Sequence, residues 1–425
     1  MFQTLKNAWK VDEIRKKLIF TLLMLVIFRL GNAIPVPFVD RNVLTQLYQY
    51  TEGNLLSFMN LLTGGALGEF TIFAMSIYPY ITASIILQLL TIAIPRLEEL
   101  SKEGEAGQKK IQQYTRIGAV VLGVFQALGI SGKLFARAVV AKGFLEQASI
   151  IVVLIAGTMF LVWLGDLITE KGIGNGISML IFAGIISRLP HSFIYWTQGV
   201  IQGKINPINA ILMLIIVVVV VAGVVIIAEG ERRINVQYAK RVVGRKMYGG
   251  QATHIPIKVN MGGVMPVIFT SSLLQLPSML GMLIGGGFGE FVNKYFSPQQ
   301  NPGIIITNIL AVILIILFAF FYTAIQFNTV EYSKNLQQQG GFIPGIRPGR
   351  PTSDYMGKIS NRITFIGAIA LAILYVLPAI LSAIFKLPIS FGGTAIIIVV
   401  GVVLETFKQM ESMLLMRHYK GFLNK

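Results

Sequence analysis

The sequence contains no cysteine, so it forms no disulfide and offers no thiolate to a metal ion. Charged residues make up only 13% of the chain, against roughly 25% in an ordinary soluble domain. Histidine is also scarce, and His191, His254 and His418 have no second ligand at helical spacing. Because protein metal sites need several ligands at suitable spacing, the sequence predicts neither a metal site nor another cofactor.

Motifs that bind nucleotides or perform catalysis are also missing. The Gly-Lys pairs at 132–133 and 357–358 are not followed by the Ser or Thr that a Walker loop needs. Paired carboxylates inside apolar segments and a Gly-x-Ser-x-Gly motif do not occur either. We therefore predict that the chain is not an enzyme and that any energy it needs comes from a partner.

Apolar residues, by contrast, are abundant and fall in long runs. They make up 54% of the chain, and the mean hydropathy is +0.70. Several blocks are close to the length of about 20 residues that crosses a hydrocarbon core. There are ten of them: 18–36, 75–95, 115–132, 146–168, 174–190, 208–229, 259–284, 304–327, 363–385 and 391–412. Because backbone groups in lipid must be bonded internally, the expected fold is an all-α integral membrane protein with ten transmembrane helices.

The basic residues predict how these helices are oriented. Most of the 36 lysines and arginines fall in the loops of one side if both termini lie on that side. Such loops face the cytoplasm, so we expect a multi-pass membrane protein with both termini cytoplasmic. Residues 1–17 form a basic amphipathic segment without a cleavage site, and residues 413–425 form a tail. The net charge of +17 therefore does not by itself indicate nucleic-acid binding.

An internal repeat relates the second predicted span to the seventh. The segment PYITASIILQL begins at Pro79 and PVIFTSSLLQL begins at Pro266, and six of the eleven aligned positions are identical. Because five spans per half is an odd number, the halves 18–190 and 208–412 would be inverted repeats around a central pore. Residues 191–207 would link them on the external side. Chance similarity between two apolar segments is the alternative.

A break in the apolar pattern precedes the second span. Residues 60–76, NLLTGGALGEFTIFAMS, contain three glycines and are too few for a crossing, which predicts a re-entrant half-helix beside protein or a water-filled cavity. Isoleucines then recur one helical turn apart, Ile77 with Ile81 and Ile177 with Ile181. A ring of such side chains would form an apolar constriction that excludes ions. Packing in an ordinary core is the alternative.

Several long motifs, among them FRLGNAIPVPFVD, EGEAGQKKIQQYTR, KVNMGGVMPVIF and FIPGIRPG, occur in an order that resembles the SecY family. Members of that family are the channel-forming subunits of the bacterial protein-conducting translocon, and the resemblance covers nearly the whole chain. It implies a pore ring of Ile77, Ile81, Ile177, Ile181, Ile268 and Ile398. It also implies a plug, within about 57–70, that comprises Asn60, Leu61, Leu62, Thr63, Gly64, Gly65, Ala66 and Leu67. Ser76 replaces a glycine found in many relatives, and we expect it to change local flexibility.

The resemblance further implies a lateral gate, between the second and third spans on one side and the seventh and eighth on the other. Signal sequences would reach the membrane lipids through this gate. Polar residues of the two repeated segments are the candidates for its lining: Ser84, Gln88, Ser271 and Gln275. Packing against the small partner subunits SecE and SecG is the alternative role for these four residues.

Two loops, at about 230–258 and 328–361, are longer than a connection between helices requires. Alternation around Ile234 and Val236 predicts a short hairpin in the first loop. Proline and glycine at turn spacing would hold the second loop away from the membrane. By resemblance, these loops bind the ribosome, through rRNA phosphates, and the motor ATPase SecA. The candidate contacts are Arg241, Arg245, Arg347 and Arg350.

The residues and the resemblance together predict a channel that passes unfolded polypeptides across the bacterial plasma membrane and inserts hydrophobic segments into it. A secondary transporter for a small solute has the same inverted-repeat plan and is the alternative function. Such a transporter would move its substrate without partner subunits. An intramembrane enzyme is disfavoured because the predicted spans carry no catalytic pair.

Overall fold

The computed structural model describes most of the chain, and the structural statements below concern the described residues. These are 2–40, 43–44, 60, 63–141, 143–203, 206–238, 241–243, 246–248, 252–296, 302–385 and 393–423.

Helices account for most of the described residues, as the apolar composition predicts. In chain order they are α1 (Phe2–Lys10), α2 (Asp12–Gly31), α3 (Tyr78–Ala93), α4 (Pro95–Lys102), α5 (Glu105–Gly129), α6 (Phe144–Lys171), α7 (Gly176–Ile201), α8 (Pro207–Glu229), α9 (Met265–Ile284), α10 (Gly286–Phe296), α11 (Gly303–Gln326), α12 (Thr329–Gln338), α13 (Arg350–Phe385) and α14 (Gly393–Leu423). The ten predicted spans coincide with α2, α3, α5 to α9, α11, α13 and α14, so the predicted all-α membrane fold is confirmed. Within the described part of the chain, six helices are long and apolar enough to cross a membrane by length and composition alone, and the bent pair α3–α4 would be a seventh.

Several helix boundaries differ from the prediction: α7 continues to Ile201, into the predicted linker, and α14 continues to Leu423, into the predicted tail. Two further differences have a clear local cause. The span expected over 259–284 is helical only from Met265, because Gly262 and Gly263, the latter at φ +59°, form a turn before it. Conversely, α13 begins at Arg350, well before the predicted start at 363. Its first part is polar, so an apolar pattern could not reveal that the helix continues beyond the hydrocarbon core.

Residues 63–77 form consecutive turns rather than the predicted half-helix. Gly64 and Gly65 have φ values of +67° and +96°, and Ser76 has a φ of +50°. A right-handed helix cannot continue through residues in the left-handed region, which explains the difference. Residues 57–59 and 61–62 of the predicted plug lie outside the described residues.

The two halves of the chain meet in a common core. Helices α3 and α5 of the first half pack against α9 of the second, and α7 packs against α14. The buried cluster at this junction includes Ile85 of α3, Leu180 of α7, Phe269 of α9 and Val402 of α14. Burial of apolar side chains therefore holds the halves together around the molecular centre.

A small sheet lies where α8 and α11 end, and we call this side of the bundle the β end. β1 (Glu231–Tyr238) pairs antiparallel with β4 (Ala252–Lys258) and β5 (Gly341–Phe342), while β2 (Arg241–Val243) and β3 (Lys246–Tyr248) form a separate hairpin. Ile234 and Val236 face inward and pack with residues of the second long loop, including Met356. The predicted hairpin is thus larger than expected, and its first strand also pairs with that loop.

Candidate functional site

Five of the six predicted ring residues line one cavity: Ile77, Ile81, Ile181, Ile268 and Ile398. They belong to the start of α3 and to α7, α9 and α14, so both halves of the chain contribute. The cavity has about 330 Å³ of empty space, including its open mouth. All five side chains are more than nine-tenths buried. The structure therefore brings together isoleucines that are far apart in the sequence.

Ile177 is the sixth predicted ring residue, and it lies beside the cavity rather than on its lining. It is partly buried against the central core. If Gly165 of α6 carried a Cβ, that atom would lie 3.2 Å from Cγ1 of Ile177. Ile181, one turn later, does line the cavity. The predicted pair on α7 is thus divided between the cavity and the packing of α6 on α7.

Two matched prolines set the start of the helices that carry the ring. Pro79 and Pro266 both lie in the first turn, of α3 and α9 respectively. Proline in the first turn removes no intrahelical hydrogen bond, and its fixed φ suits the start of a helix. Ile81 and Ile268 each follow the proline by two residues, so the two repeated segments present an isoleucine from equivalent places.

A few polar groups complete the cavity lining, among them Ser76, Tyr78, Ser271 and Ser272. The Oγ of Ser271 donates to the carbonyl of Val267 at 2.9 Å. The Oγ of Ser272 is buried without a partner in the described part of the chain. The lining is therefore largely apolar, which disfavours the passage of hydrated ions through a space this small.

The described part of the predicted plug folds around Asn60. The backbone N–H of Gly65 donates to the carbonyl of Asn60, and the N–H of Gly68 donates to its side-chain Oδ1, both at 2.8 Å. Ala66 and Leu67 are each 1% exposed. Ala66 packs into the central core and Leu67 into a neighbouring cluster of the first half. Backbone bonds and burial thus hold this segment in a defined place.

A hydrogen bond connects the two sides of the predicted gate. The hydroxyl of Tyr322, in α11, donates to Oε1 of Gln88, in α3, at 2.9 Å. The Nε2 of Gln88 donates to Oγ of Ser84, one turn earlier, at 3.3 Å. Tyr322 was not among the predicted residues. A hydroxyl inside an apolar span needs a hydrogen-bonding partner. The tyrosine in the apolar run 304–327 could therefore have been identified from the sequence as a candidate.

Ser271 and Gln275, the α9 counterparts, do not bond to Ser84 or Gln88. Ser271 donates within its own helix, as described above. The side chain of Gln275 interacts with the hydroxyl of Tyr78 at the start of α3, and its Nε2 has no partner in the described part of the chain. Each repeated glutamine thus contacts a tyrosine of the opposite half rather than the other glutamine.

A second contact crosses the predicted gate at the end away from the β end. The Nζ of Lys133, just after α5, donates to the carbonyl of Leu283 in the last turn of α9. Gly129 lies against the same leucine, and a Cβ on Gly129 would be only 3.2 Å from Cδ2 of Leu283. The α5 and α9 ends therefore touch closely, and a cation lies at the C-terminus of α9, where the helix dipole favours it.

Charged groups near the span ends bond to nearby protein atoms. The Nη2 of Arg116 lies 2.7 Å from Oδ2 of Asp166, and Gln112 donates to the other carboxylate oxygen at 3.4 Å. The Nζ of Lys408 donates to the carbonyl of Ala228 at 2.8 Å. These charged groups are satisfied between helices and do not line the cavity.

The basic residues of the two loops lie at the β end. Arg347 is exposed on the turn between β5 and α13, and Arg350 is exposed as the first residue of α13. The carbonyl of Arg347 accepts a 2.9 Å hydrogen bond from Oγ1 of Thr352. Arg241 is the first residue of β2. Arg245 lies outside the described residues. The turn at Arg347 is therefore fixed by its backbone while the side chain faces solvent.

Comparisons with known proteins agree with this architecture. A family model described as SecY matches residues 71–407, well over half of the chain. The protein translocase subunit SecY of Aquifex aeolicus is 43% identical over 434 residues, with 100% of each chain covered. A solved structure described as "The structure of a protein conducting channel" has a TM-score of 0.66 at 19% identity, over 94% of this chain and 92% of that one. One described as "Sec61 in the Canine ribosome-channel complex from the endoplasmic reticulum" has a TM-score of 0.60 at 18% identity and the same coverage. The two structures share the fold, and the extent of the sequence matches shows that the chain belongs to the SecY family.

Proposed function

We propose that the chain is the channel subunit of a protein translocon in the bacterial plasma membrane. It passes unfolded polypeptides across the membrane and releases hydrophobic segments sideways into the lipid, and it performs no catalysis. The observation that carries this proposal is the cavity lined by five isoleucines from both halves of the chain. A narrow apolar constriction excludes hydrated ions by dewetting, and flexible aliphatic side chains adjust around a passing polypeptide.

The plug in this proposal includes Asn60 and residues 63–67, next to the constriction. These residues are buried between helices of the first half, so they close the path while the channel is at rest. A translocating polypeptide displaces them. The channel then has two seals, one formed by the isoleucine ring and one by the plug.

The lateral gate lies between α3 and α5 on one side and α9 and α11 on the other. The bond from Tyr322 to Gln88 and the interaction between Tyr78 and Gln275 both cross it. Hydrogen bonds between membrane helices contribute roughly 0.6 to 2 kcal/mol each. Contacts of this strength keep the gate shut at rest and yield when a hydrophobic signal sequence competes for the space between the helices.

We assign the β end and both termini to the cytoplasm because the basic loop residues lie there. The partners are the ribosome, SecA as the source of energy, and the small subunits SecE and SecG. Arg347 and Arg350 contact the ribosome or SecA, together with Arg241 and Arg245. Exposure of Arg347, on a turn with a fixed backbone, and of Arg350, at the start of α13, supports this role, and a structural relative was solved as a ribosome–channel complex.

The test is import of a fluorescent, signal-peptide-bearing protein into liposomes that contain the chain and SecE, with SecA and ATP outside. Reversal of charge in Arg347→Glu is expected to lower import at least tenfold. Arg232→Glu is the matched control, since Arg232 is an exposed arginine of β1 at the same end, and this variant is expected to import normally.

Absence of import by the wild-type chain, under conditions in which a known translocon is active, would contradict the proposed function. Such a result would favour the solute-transporter alternative, in which no partner is needed. An equal loss with Arg347→Glu and Arg232→Glu would contradict a specific partner contact at Arg347 and leave only a general effect of charge.

A further inference from the structure

Two residues at the end of α2 bond to the backbone of the plug. The Nη1 of Arg29 donates to the carbonyl of Gly64 at 3.2 Å. One turn later, Nδ2 of Asn32 donates to the carbonyl of Thr63 at 3.5 Å, a longer and weaker contact. The donors are three positions apart, so they lie on the same face of the helix end. This end of α2 is thus directed at two successive plug carbonyls.

The opposite side of the same turn rests on α7. A Cβ at Gly64 would be 2.9 Å from Cα of Gly184 and 3.0 Å from Oγ of Ser187. A Cβ at Gly65 would be only 2.2 Å from Nη2 of Arg188. The backbone of Gly65 therefore lies against the guanidinium of Arg188, and only glycine leaves room for this approach.

The backbone conformation explains why the turn fits between the two helices. Gly64 and Gly65 are both in the left-handed region, with φ of +67° and +96°, which residues with a Cβ adopt at a cost. This conformation exposes the carbonyl of Gly64 to α2 while the other side contacts α7. Arg29 and Arg188 thus lie on opposite sides of one glycine turn.

We propose that Arg29 and Arg188 form an arginine clasp, which holds the double-glycine turn in its resting position and sets how readily the plug leaves. The inference rests on the proposed function, because it describes the regulation of the plug. Arg29 acts through a charge-assisted hydrogen bond, which is stronger than a neutral one, and Arg188 through close packing of its planar guanidinium. Both contacts are non-covalent, so an entering polypeptide releases the turn reversibly.

The absence of cysteine makes a direct test available. Ala66→Cys introduces a single thiol next to the turn, at a position that is 1% exposed. The full chain is reconstituted in vesicles with a water-soluble maleimide on both sides of the membrane, and the labelling rate is measured. We expect Arg29→Gln and Arg188→Gln each to raise this rate at least fivefold, and the double variant to raise it further.

Two controls separate release of the plug from other effects. Arg137→Gln changes an exposed arginine that makes no hydrogen bond or ion pair with the turn in the described part of the chain, and should leave the Ala66→Cys rate unchanged. Ala368→Cys places the thiol at another site that is 1% exposed, in α13, and its rate should not respond to the clasp variants. An unchanged rate at Ala66→Cys, or an equal rise at Ala368→Cys, would overturn the clasp.

The same vesicles distinguish failure of the clasp from failure of the proposed function. Polypeptide import by the chain without clasp substitutions is measured in parallel, with SecE, SecA and ATP. If the chain imports polypeptide but the labelling rate is unchanged in Arg29→Gln and Arg188→Gln, the clasp is contradicted and the proposed function is not. If these variants are labelled faster but the chain imports no polypeptide, the proposed function is contradicted and the clasp is not.

Discussion

The hydroxyl of Tyr322 donates a 2.9 Å hydrogen bond to Oε1 of Gln88, across 234 residues of sequence. The bond connects α11 of the second half with α3 of the first, next to the lipid-facing opening that we assign as the lateral gate. Gln88 makes a second bond, from its Nε2 to Oγ of Ser84, which fixes the orientation of its amide toward the tyrosine. We therefore propose that this polar contact between the two helices holds the gate closed.

Tyr322→Phe removes this hydrogen bond and keeps the ring, which packs against Phe269 and Phe321. We expect the closed gate to lose about 1 kcal/mol, so a protein with a weakly hydrophobic signal sequence should be imported several-fold faster. Tyr332→Phe is the control, because Tyr332 is exposed in α12. Equal import by wild type and Tyr322→Phe would show that the bond does not restrain the gate.

Lys133→Met removes the cation that bonds to the carbonyl of Leu283. A charge at a helix C-terminus contributes about 0.5 kcal/mol at an exposed site, so the α5 and α9 ends should separate more often. Spin labels at Phe125→Cys and Leu280→Cys, both exposed positions on these helices, should report a longer and broader distance distribution. Lys133→Arg should restore the wild-type distribution, and an identical distribution in all three proteins would contradict this role.

Gly65→Ala places a Cβ at φ +96°, against the guanidinium of Arg188. The left-handed conformation alone costs roughly 1 to 2 kcal/mol for a residue with a Cβ, so the plug should leave its resting position and ion leak should rise. Gly132→Ala is the matched control, since a Cβ there meets nothing within 4 Å. Leak that is equally low in both variants would contradict the assigned plug position.

The membrane helices could be predicted because each apolar block must satisfy its backbone internally, and ten blocks matched ten helices. The isoleucine positions were predicted through the repeat and the family resemblance, and the structure gathers five of them. Tyr322 was missed because its partner lies in another helix, far away in sequence. The predicted half-helix was wrong over residues 63–76, because composition does not reveal that Gly64 and Gly65 adopt positive φ.

The polar extension of α13 was also not predictable from hydropathy. Residues 350–362 carry several charged and polar groups, which mark the end of an apolar block but do not end a helix. The position of Ile177 could not be predicted from its spacing in the sequence either. One-turn spacing predicts that Ile177 and Ile181 share a face, but packing on Gly165 decides which of them reaches the cavity.

The most direct test of the isoleucine constriction is the ion conductance of the resting channel in planar bilayers, compared between Ile81→Gly and Ile85→Gly. Both residues are buried in α3 and belong to the same core, but only Ile81 lines the cavity. We predict that Ile81→Gly raises the resting conductance several-fold and that Ile85→Gly leaves it near the wild-type value. Equal conductance in the two variants, or a larger increase with Ile85→Gly, would contradict the account that the isoleucine ring seals the channel.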